Sequence, residues 1–221
     1  MILLVLSASP VESAAMNNIV VLISGRGSNL HALLAAARAD HWQQSLGLRV
    51  AAVISNRADA PGLDVAREFG VPTRILSHLG FTGRDTFDAA LAQEIETFQP
   101  QLVVLAGFMR VLTAQFVERF PLRIINTHPS LLPAFPGADA AAQAIAHGVK
   151  LSGVTVHFVD ASVDGGPIIA QVAVAVADGD DAASLHARIQ REEHRLLPIV
   201  VQRLAAGQLS CQGRIVRGRA E

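Results

Sequence analysis

Asn18-Ile19-Val20-Val21-Leu22-Ile23-Ser24-Gly25-Arg26-Gly27-Ser28-Asn29 is a continuous apolar run that ends in a glycine turn. An unbroken run of this kind marks a strand buried on both faces, as in a parallel sheet flanked by helices. Leu30, Leu33, Leu34 and Ala37 then recur at helical spacing. Strand, glycine turn and helix in succession leave free backbone N–H groups at a helix N-terminus, with Ser28 or Asn29 as cap, and such an end can seat an anion. Leu30 stands where the dinucleotide fingerprint needs its last glycine, and no Gly-Lys-Ser/Thr follows, so this is neither a dinucleotide loop nor a Walker loop. A single phosphate is the natural guest; a tight turn that binds nothing is the alternative.

Working outward, the same alternation repeats. Leu48 to Ser55 reads as a second strand, Gly62 to Phe69 as a short helix closed by Gly70, and Pro72 to Leu76 as a weaker third strand. Phe87, Leu91, Ile95 and Phe98 share one face of a helix from Arg84, which Pro100 ends. Gln101 to Gly107 is another buried strand, opening into Phe108-Met109-Arg110-Val111-Leu112, for which core packing is the default reading. Thr113 caps a helix to Phe120, and Asp139 is the expected cap of a helix to His147. Gly153 to Val159 and Pro167 to Val176 alternate instead as an antiparallel pair, joined by the turn-rich Asp160-Ala161-Ser162-Val163-Asp164-Gly165-Gly166. Asp180 and Asp181 start a long helix from about Ala182 to Ala206, which Pro198 is expected to kink or split. The fold class is therefore α/β: a doubly wound, mostly parallel sheet with an added antiparallel strand pair near the C-terminus. Residues 16–210 are expected to form one domain, with 1–15 a poorly ordered extension and 211–221 a polar tail.

Ile124-Ile125-Asn126-Thr127-His128-Pro129 carries the chemistry. Asn126 and His128 are two apart on a strand end, where alternate side chains share a face. Pro129 removes a ladder donor and stops the strand where the polar pair emerges. Sites in open α/β sheets lie at such carboxyl ends. An Asn amide can donate to a developing oxyanion, an imidazole can donate or carry a proton, and one Asp can hold the imidazole and favour its charged form. Those three groups suffice for acyl transfer without a covalent enzyme intermediate. Glu192-Glu193-His194 lacks a second zincin histidine, and Ser28 lacks the flanking glycines of a hydrolase elbow. Of the remaining histidines, His157 points off a strand and fits either the core or a supporting place beside the site.

Composition narrows the partners. At 221 residues and 51% hydrophobic, the chain can bury a sizeable core, yet no apolar run reaches the roughly 18–20 residues of a membrane span. A net charge of −1 with no basic block leaves no footprint for nucleic acid or an anionic membrane, so small-molecule substrates are the expectation. Cys211 is the single cysteine, which excludes an internal disulfide or a cysteine-built zinc site. Met1 to Leu6 lacks the charged flank and length of a signal peptide, so the expected compartment is the cytoplasm.

Four motifs in order, Ser24-Gly25-Arg26-Gly27-Ser28-Asn29-Leu30, Ala106-Gly107-Phe108-Met109-Arg110-Val111-Leu112, Asn126-Thr127-His128-Pro129-Ser130-Leu131-Leu132-Pro133 and Asp164-Gly165-Gly166-Pro167, resemble those of the phosphoribosylglycinamide formyltransferase family. The likeness covers about Asn17 to Gly207. It implies a Rossmann-like formyltransferase fold and transfer of a formyl group from 10-formyltetrahydrofolate to the amine of 5'-phosphoribosylglycinamide, in purine synthesis and without a metal. It further implies that Gly27, Ser28, Asn29, Gln190 and Glu193 hold the phosphoribosyl substrate. Arg84, Met109, Arg110, Val111, Leu112, Asn126 and the loop Asp160, Ala161, Ser162, Val163, Asp164 would line the folate pocket, which replaces the core-packing default for the stretch after Gly107. Asn126, His128 and Asp164 would be catalytic, and Leu132-Pro133 would be cis. Pro136-Gly137-Ala138-Asp139 lacks the histidines that some relatives carry there, so a second histidine from that loop is not expected to assist. A formyltetrahydrofolate hydrolase and a non-catalytic folate-binding protein are the alternatives, and either a monomer or a homodimer fits. Methionyl-tRNA formyltransferase would require a basic nucleic-acid surface, and none is legible.

Overall fold

The computed structural model describes residues 17–218; the extension expected at 1–15 lies outside them. Nine strands and seven helices are described: β1 Asn17–Ile23, α1 Ser28–Ala39, α2 Trp42–Leu46, β2 Leu48–Ser55, α3 Gly62–Glu68, β3 Thr73–Ile75, α4 Arg84–Glu96, β4 Pro100–Leu105, α5 Ala114–Arg119, β5 Ile124–His128, α6 Ala140–Ala146, β6 Leu151–Phe158, β7 Ile168–Ala175, α7 Ala182–Ala205, β8 Leu209–Gln212 and β9 Ile215–Gly218. The main sheet has the order β3-β2-β1-β4-β5-β6-β7. Its first five strands are parallel; β6 runs antiparallel to β5, and β7 to β6. The expected mostly parallel sheet with an antiparallel pair is what the chain forms.

Strand parity explains why the apolar runs are unbroken. Ile19, Val21 and Ile23 of β1 and Leu102 and Val104 of β4 belong to one core cluster, with α1 and α7 residues such as Leu30, Leu33, Ile189 and Leu197. Val20, Leu22, Val103 and Leu105 belong to a second cluster on the other face, with Phe87, Leu91 and Ile95 of α4 and Phe116 of α5. Both faces are covered, so every position must be apolar. Chain order reverses between β1 and β4, and in open α/β sheets ligands bind at the carboxyl ends of the strands beside such a reversal.

Several local expectations are corrected. Neither Ser28 nor Asn29 caps α1; Gly27 is the cap, at φ 77° in the left-handed region with no side-chain cap bond. The physical reason is lateral: the Ser28 and Asn29 side chains are drawn across to Gln190 and Glu193 of α7. Asp139 sits at the α6 cap position but at φ 56°, and its side chain makes no cap bond; Gln143 donates back to the Ala138 carbonyl instead. Pro198 does not split α7, which continues as one helix to Ala205 with that residue buried inside it. Asp181 does cap α7, in a reciprocal pairing with Ser184. Beyond Gly207, where a polar tail was expected from 211, β8 and β9 pair as an antiparallel hairpin. Among the described residues no helix is long and apolar enough to cross a membrane.

The turn at Gly27 is a sharp constraint, because a Cβ there would lie 2.6 Å from the Gly62 Cα, backbone against backbone. Gly27→Ala should therefore lose about 1–3 kcal/mol of stability, read from urea unfolding midpoints.

Candidate active site

β5 carries its polar residues past the end of the apolar core. Ile124 faces the second cluster and Ile125 the first, so by alternation Asn126 and His128 share the side of Ile124 while Thr127 points toward α7. Asp164 reaches the same side from the loop between β6 and β7. Its Oδ2 lies 3.3 Å from His128 Nδ1, and its Oδ1 accepts from Asn126 Nδ2 at 3.4 Å. The expected trio thus converges. Asp164 holds a left-handed backbone, φ 51°, which short polar side chains tolerate better than most. It also accepts the Gly137 N–H at 2.8 Å, which ties the proline-rich loop to the carboxylate. The Leu132-Pro133 bond is cis, as expected.

His157 joins them. It is 2% exposed and pairs with Asn126 across the β5–β6 ladder. Its Nδ1 faces the Phe158 carbonyl at 2.8 Å, and its Nε2 lies 3.3 Å from Asn126 Nδ2. The same Nε2 is 3.6 Å from Asp164 Oδ1. Burial alone would raise the Asp164 pKa, but the His157 hydrogen bond, the Gly137 N–H and the two nearby imidazoles together hold it below the ordinary carboxylate value.

Asn126 and His128 share one side of β5, as expected, but lie at different depths. His128 is 4% exposed, and its Nε2 donates to the Phe135 carbonyl at 2.8 Å. Both of its nitrogens therefore face protein acceptors, while Asn126 is only partly buried. For His128 to donate to a substrate oxygen, its Phe135 bond must exchange.

Two sets of residues flank this centre. On the Thr127 side, Gln190 Nε2 donates to Ser28 Oγ at 3.1 Å. Glu193, 5% exposed, accepts from Asn29 Nδ2 at 3.4 Å and from Thr127 Oγ1 at 3.3 Å. Asn29 Oδ1 is buried with no partner, a polar atom left for something else to satisfy. Nothing in the sequence by itself singles out Thr127. Glu193 does carry a legible signal: it interrupts the buried α7 stripe of Leu185, Ile189, Leu196, Leu197, Val200 and Val201. On the other side, Met109 and Val111 stand exposed and Arg84 is exposed at the start of α4, whereas Leu112 packs into the second core cluster. Arg110 stacks its guanidinium over the Phe87 ring, 4.9 Å to the centroid.

The loop that supplies Asp164 is wound tightly. Asp160 Oδ1 accepts from the Ser162 N–H at 2.9 Å and from its hydroxyl. A Cβ at Gly165 would strike the Ser162 hydroxyl, and one at Gly166 the Phe158 carbonyl. From outside, Arg214 in the β8–β9 turn donates to the Gly165 carbonyl at 2.7 Å. Among the described residues no group of three or more His, Cys, Asp or Glu is arranged to hold a metal ion.

Two outcomes follow from this geometry. Because the folded pKa of Asp164 is depressed, the stability that its ionised form contributes is present above the unfolded value of about 4 and is lost as pH falls through the folded value. The stability difference between wild type and Asp164→Asn, from urea titrations, should accordingly be flat above about pH 5 and shrink below pH 4. Arg214→Ala should speed amide exchange across 160–166 by roughly 3- to 10-fold, seen by hydrogen-exchange mass spectrometry, while the β5 amides keep their protection.

The formyl transferase family model matches residues 17–201. Phosphoribosylglycinamide formyltransferase of Escherichia coli is 44% identical over 192 residues, 87% of this chain and 89% of that one. The human trifunctional purine biosynthetic protein adenosine-3 is 43% identical over 199 residues, 89% of this chain but 19% of that larger protein. The crystal structure of glycinamide ribonucleotide transformylase 1 from Symbiobacterium toebii superposes with a TM-score of 0.87 at 49% identity, covering 92% of this chain and 94% of that one. With the matched span running from β1 into α7 and taking in every residue of the site, this chain belongs to the formyl transferase family of enzymes.

Proposed function

We propose that the protein transfers a formyl group from 10-formyltetrahydrofolate to the amine of 5'-phosphoribosylglycinamide, a step of purine biosynthesis. The observation that carries this reading is the meeting of Asn126, His128 and Asp164 at the end of β5, between two unlike surfaces. Gly27, Ser28, Asn29, Gln190 and Glu193 gather hydrogen-bonding groups at the α1 N-terminus, which suits a phosphate and a hydroxylated, amine-bearing substrate. Exposed Met109 and Val111, with the cations Arg84 and Arg110, suit a flat ring system that ends in carboxylates. Two reactants would then meet over Asn126. Relatives named for this same activity, similar along most of their length, support the choice of substrates.

In this reading the free amine attacks the formyl carbon, and the carbonyl electron pair moves onto oxygen. Asn126 Nδ2 keeps one hydrogen on Asp164 and turns the other, which faces His157, onto that oxyanion, joined by His128 once it releases the Phe135 carbonyl. Collapse breaks the bond from the formyl carbon to the folate nitrogen; the proton lost by the amine is delivered to that nitrogen, with Asp164 and a bridging water as relay. Atoms balance without a covalent enzyme intermediate. Asp164 keeps its negative charge against His128 and orients the Asn126 amide. The Asp160–Gly166 loop closes over the donor as it binds.

The deciding assay follows loss of the formyl group from 10-formyltetrahydrofolate with and without phosphoribosylglycinamide. Turnover that depends on the amine is the expected result; turnover without it would make the protein a hydrolase, and none in either case a folate-binding protein. Asp164→Asn should lower kcat by roughly 10²- to 10³-fold in steady-state kinetics with little change in either KM, since its partners act on the transition state.

A further inference from the structure

Two buried polar side chains outside the reacting centre, Ser24 and Asp88, end on the same stretch of chain. Asp88 lies on α4 beside Phe87 and is 1% exposed. A carboxylate so placed is costly unless its oxygens are satisfied. Its Oδ2 accepts the backbone N–H of Thr113 at 2.7 Å, its Oδ1 is buried with no partner, and among the described residues it forms no ion pair. An apolar residue would pack there at less cost, so the bond to Thr113 is what the carboxylate supplies.

Ser24 follows the last residue of β1 and is 5% exposed. Its Oγ accepts the Met109 N–H at 2.9 Å and donates to Asn56 Oδ1 at 2.7 Å. The Asn56 amide in turn meets His78 Nδ1 at 3.3 Å. The Ser24 backbone N–H also reaches the Gly107 carbonyl at 3.1 Å. Neighbouring elements thus grip the segment 109–113 at both ends, by Ser24 from β1 and by Asp88 from α4.

Between the two anchors the chain is neither helix nor strand. Even so, Met109 is 80% and Val111 52% exposed, while their neighbours Phe108 and Leu112 are buried. A free coil of this composition would fold its apolar side chains inward; here the anchors fix which ones face out. Surfaces ordered before binding lose less entropy when a ligand arrives.

We infer that Ser24 and Asp88 are positioning residues for the folate donor, holding segment 109–113 at both ends so that Met109 and Val111 form a ready-made apolar wall. This rests on reading that surface as the folate pocket. Neither residue touches the reacting atoms. The phosphoribosyl side of the site is built from other contacts, between α1, α7 and Thr127.

The test compares the full-length chain with Ser24→Ala, Asp88→Ala and Asp88→Asn, measuring the affinity of 5,8-dideazafolate by calorimetry and both substrate KM values. Ser24→Ala and Asp88→Ala should each weaken the analogue and raise the donor KM by about 5- to 50-fold, with kcat and the phosphoribosylglycinamide KM within about threefold of wild type. Asp88→Asn keeps an oxygen that can accept from Thr113, and should stay within about threefold on every measure. Folded variants that bind the analogue like wild type, or that raise both KM values equally, would overturn the inference while leaving the folate reading intact. A wild-type protein that does not bind the analogue overturns both. Should Asp88→Ala fail to fold, Ser24→Ala decides by the same split.

Discussion

Burial of β5 on both faces is the constraint from which the site's layout follows. Ile124 and Ile125 are locked into opposite core clusters, so the next three side chains have no choice of direction. Asn126 and His128 go to one side and Thr127 to the other. A slip of one residue would exchange them and place Thr127 against Asp164. These polar side chains are therefore held in register by aliphatic packing, which is stiff because protein interiors are densely filled.

Asp164 depends on that register. Its two oxygens serve His128, Asn126 and the Gly137 N–H, with His157 close by. A carboxylate stays charged at such burial only because donors surround it. The loop that carries it is held by its own Asp160–Ser162 contacts and, from outside, by Arg214. Glycines at 165 and 166 are required because neighbouring atoms occupy the space of a side chain. Order in the loop and charge at the centre thus depend on one another. The strand order brings the turn after β1 beside the segment after β4 at the carboxyl ends of the sheet, where Ser24 bonds to Gly107 and Met109.

Much of this was legible along the chain. The parallel strands announced themselves because a strand covered on both sides admits only apolar residues, as in Asn18 to Ser24 and Gln101 to Gly107. Asn126 and His128 were visible as a polar pair at the end of such a run. Asp164, Gln190 and Glu193 could be named only through resemblance to a family, for nothing local ties them to His128. His157 fits core and support equally in the sequence, because its place follows from the pairing of Asn126 with His157 across the antiparallel ladder. The caps expected at Ser28 and Asp139 do not form for a related reason: local propensity assigns a side chain to its own helix, whereas Gln190 and Glu193 draw Ser28 and Asn29 away, and a left-handed backbone keeps Asp139 from its amides. The β8–β9 hairpin is not legible in the sequence, since Leu209–Gln212 and Ile215–Gly218 are short and only partly apolar.

Sequence alone determined the periodic features of this protein: which segments are strands of the main sheet, which faces are apolar, where the glycine turn sits and which polar pair ends a strand. Those follow from nearest-neighbour stereochemistry and from the repeat lengths of helix and strand. Tertiary structure decided which distant groups became partners: Asp164 with His128, Glu193 with Asn29 and Thr127, Asp88 with Thr113, and Arg214 with Gly165. Hydrogen bonds of that sort depend on positions to within about an ångström, and only the packed sheet, with its order and register fixed, sets distances that fine.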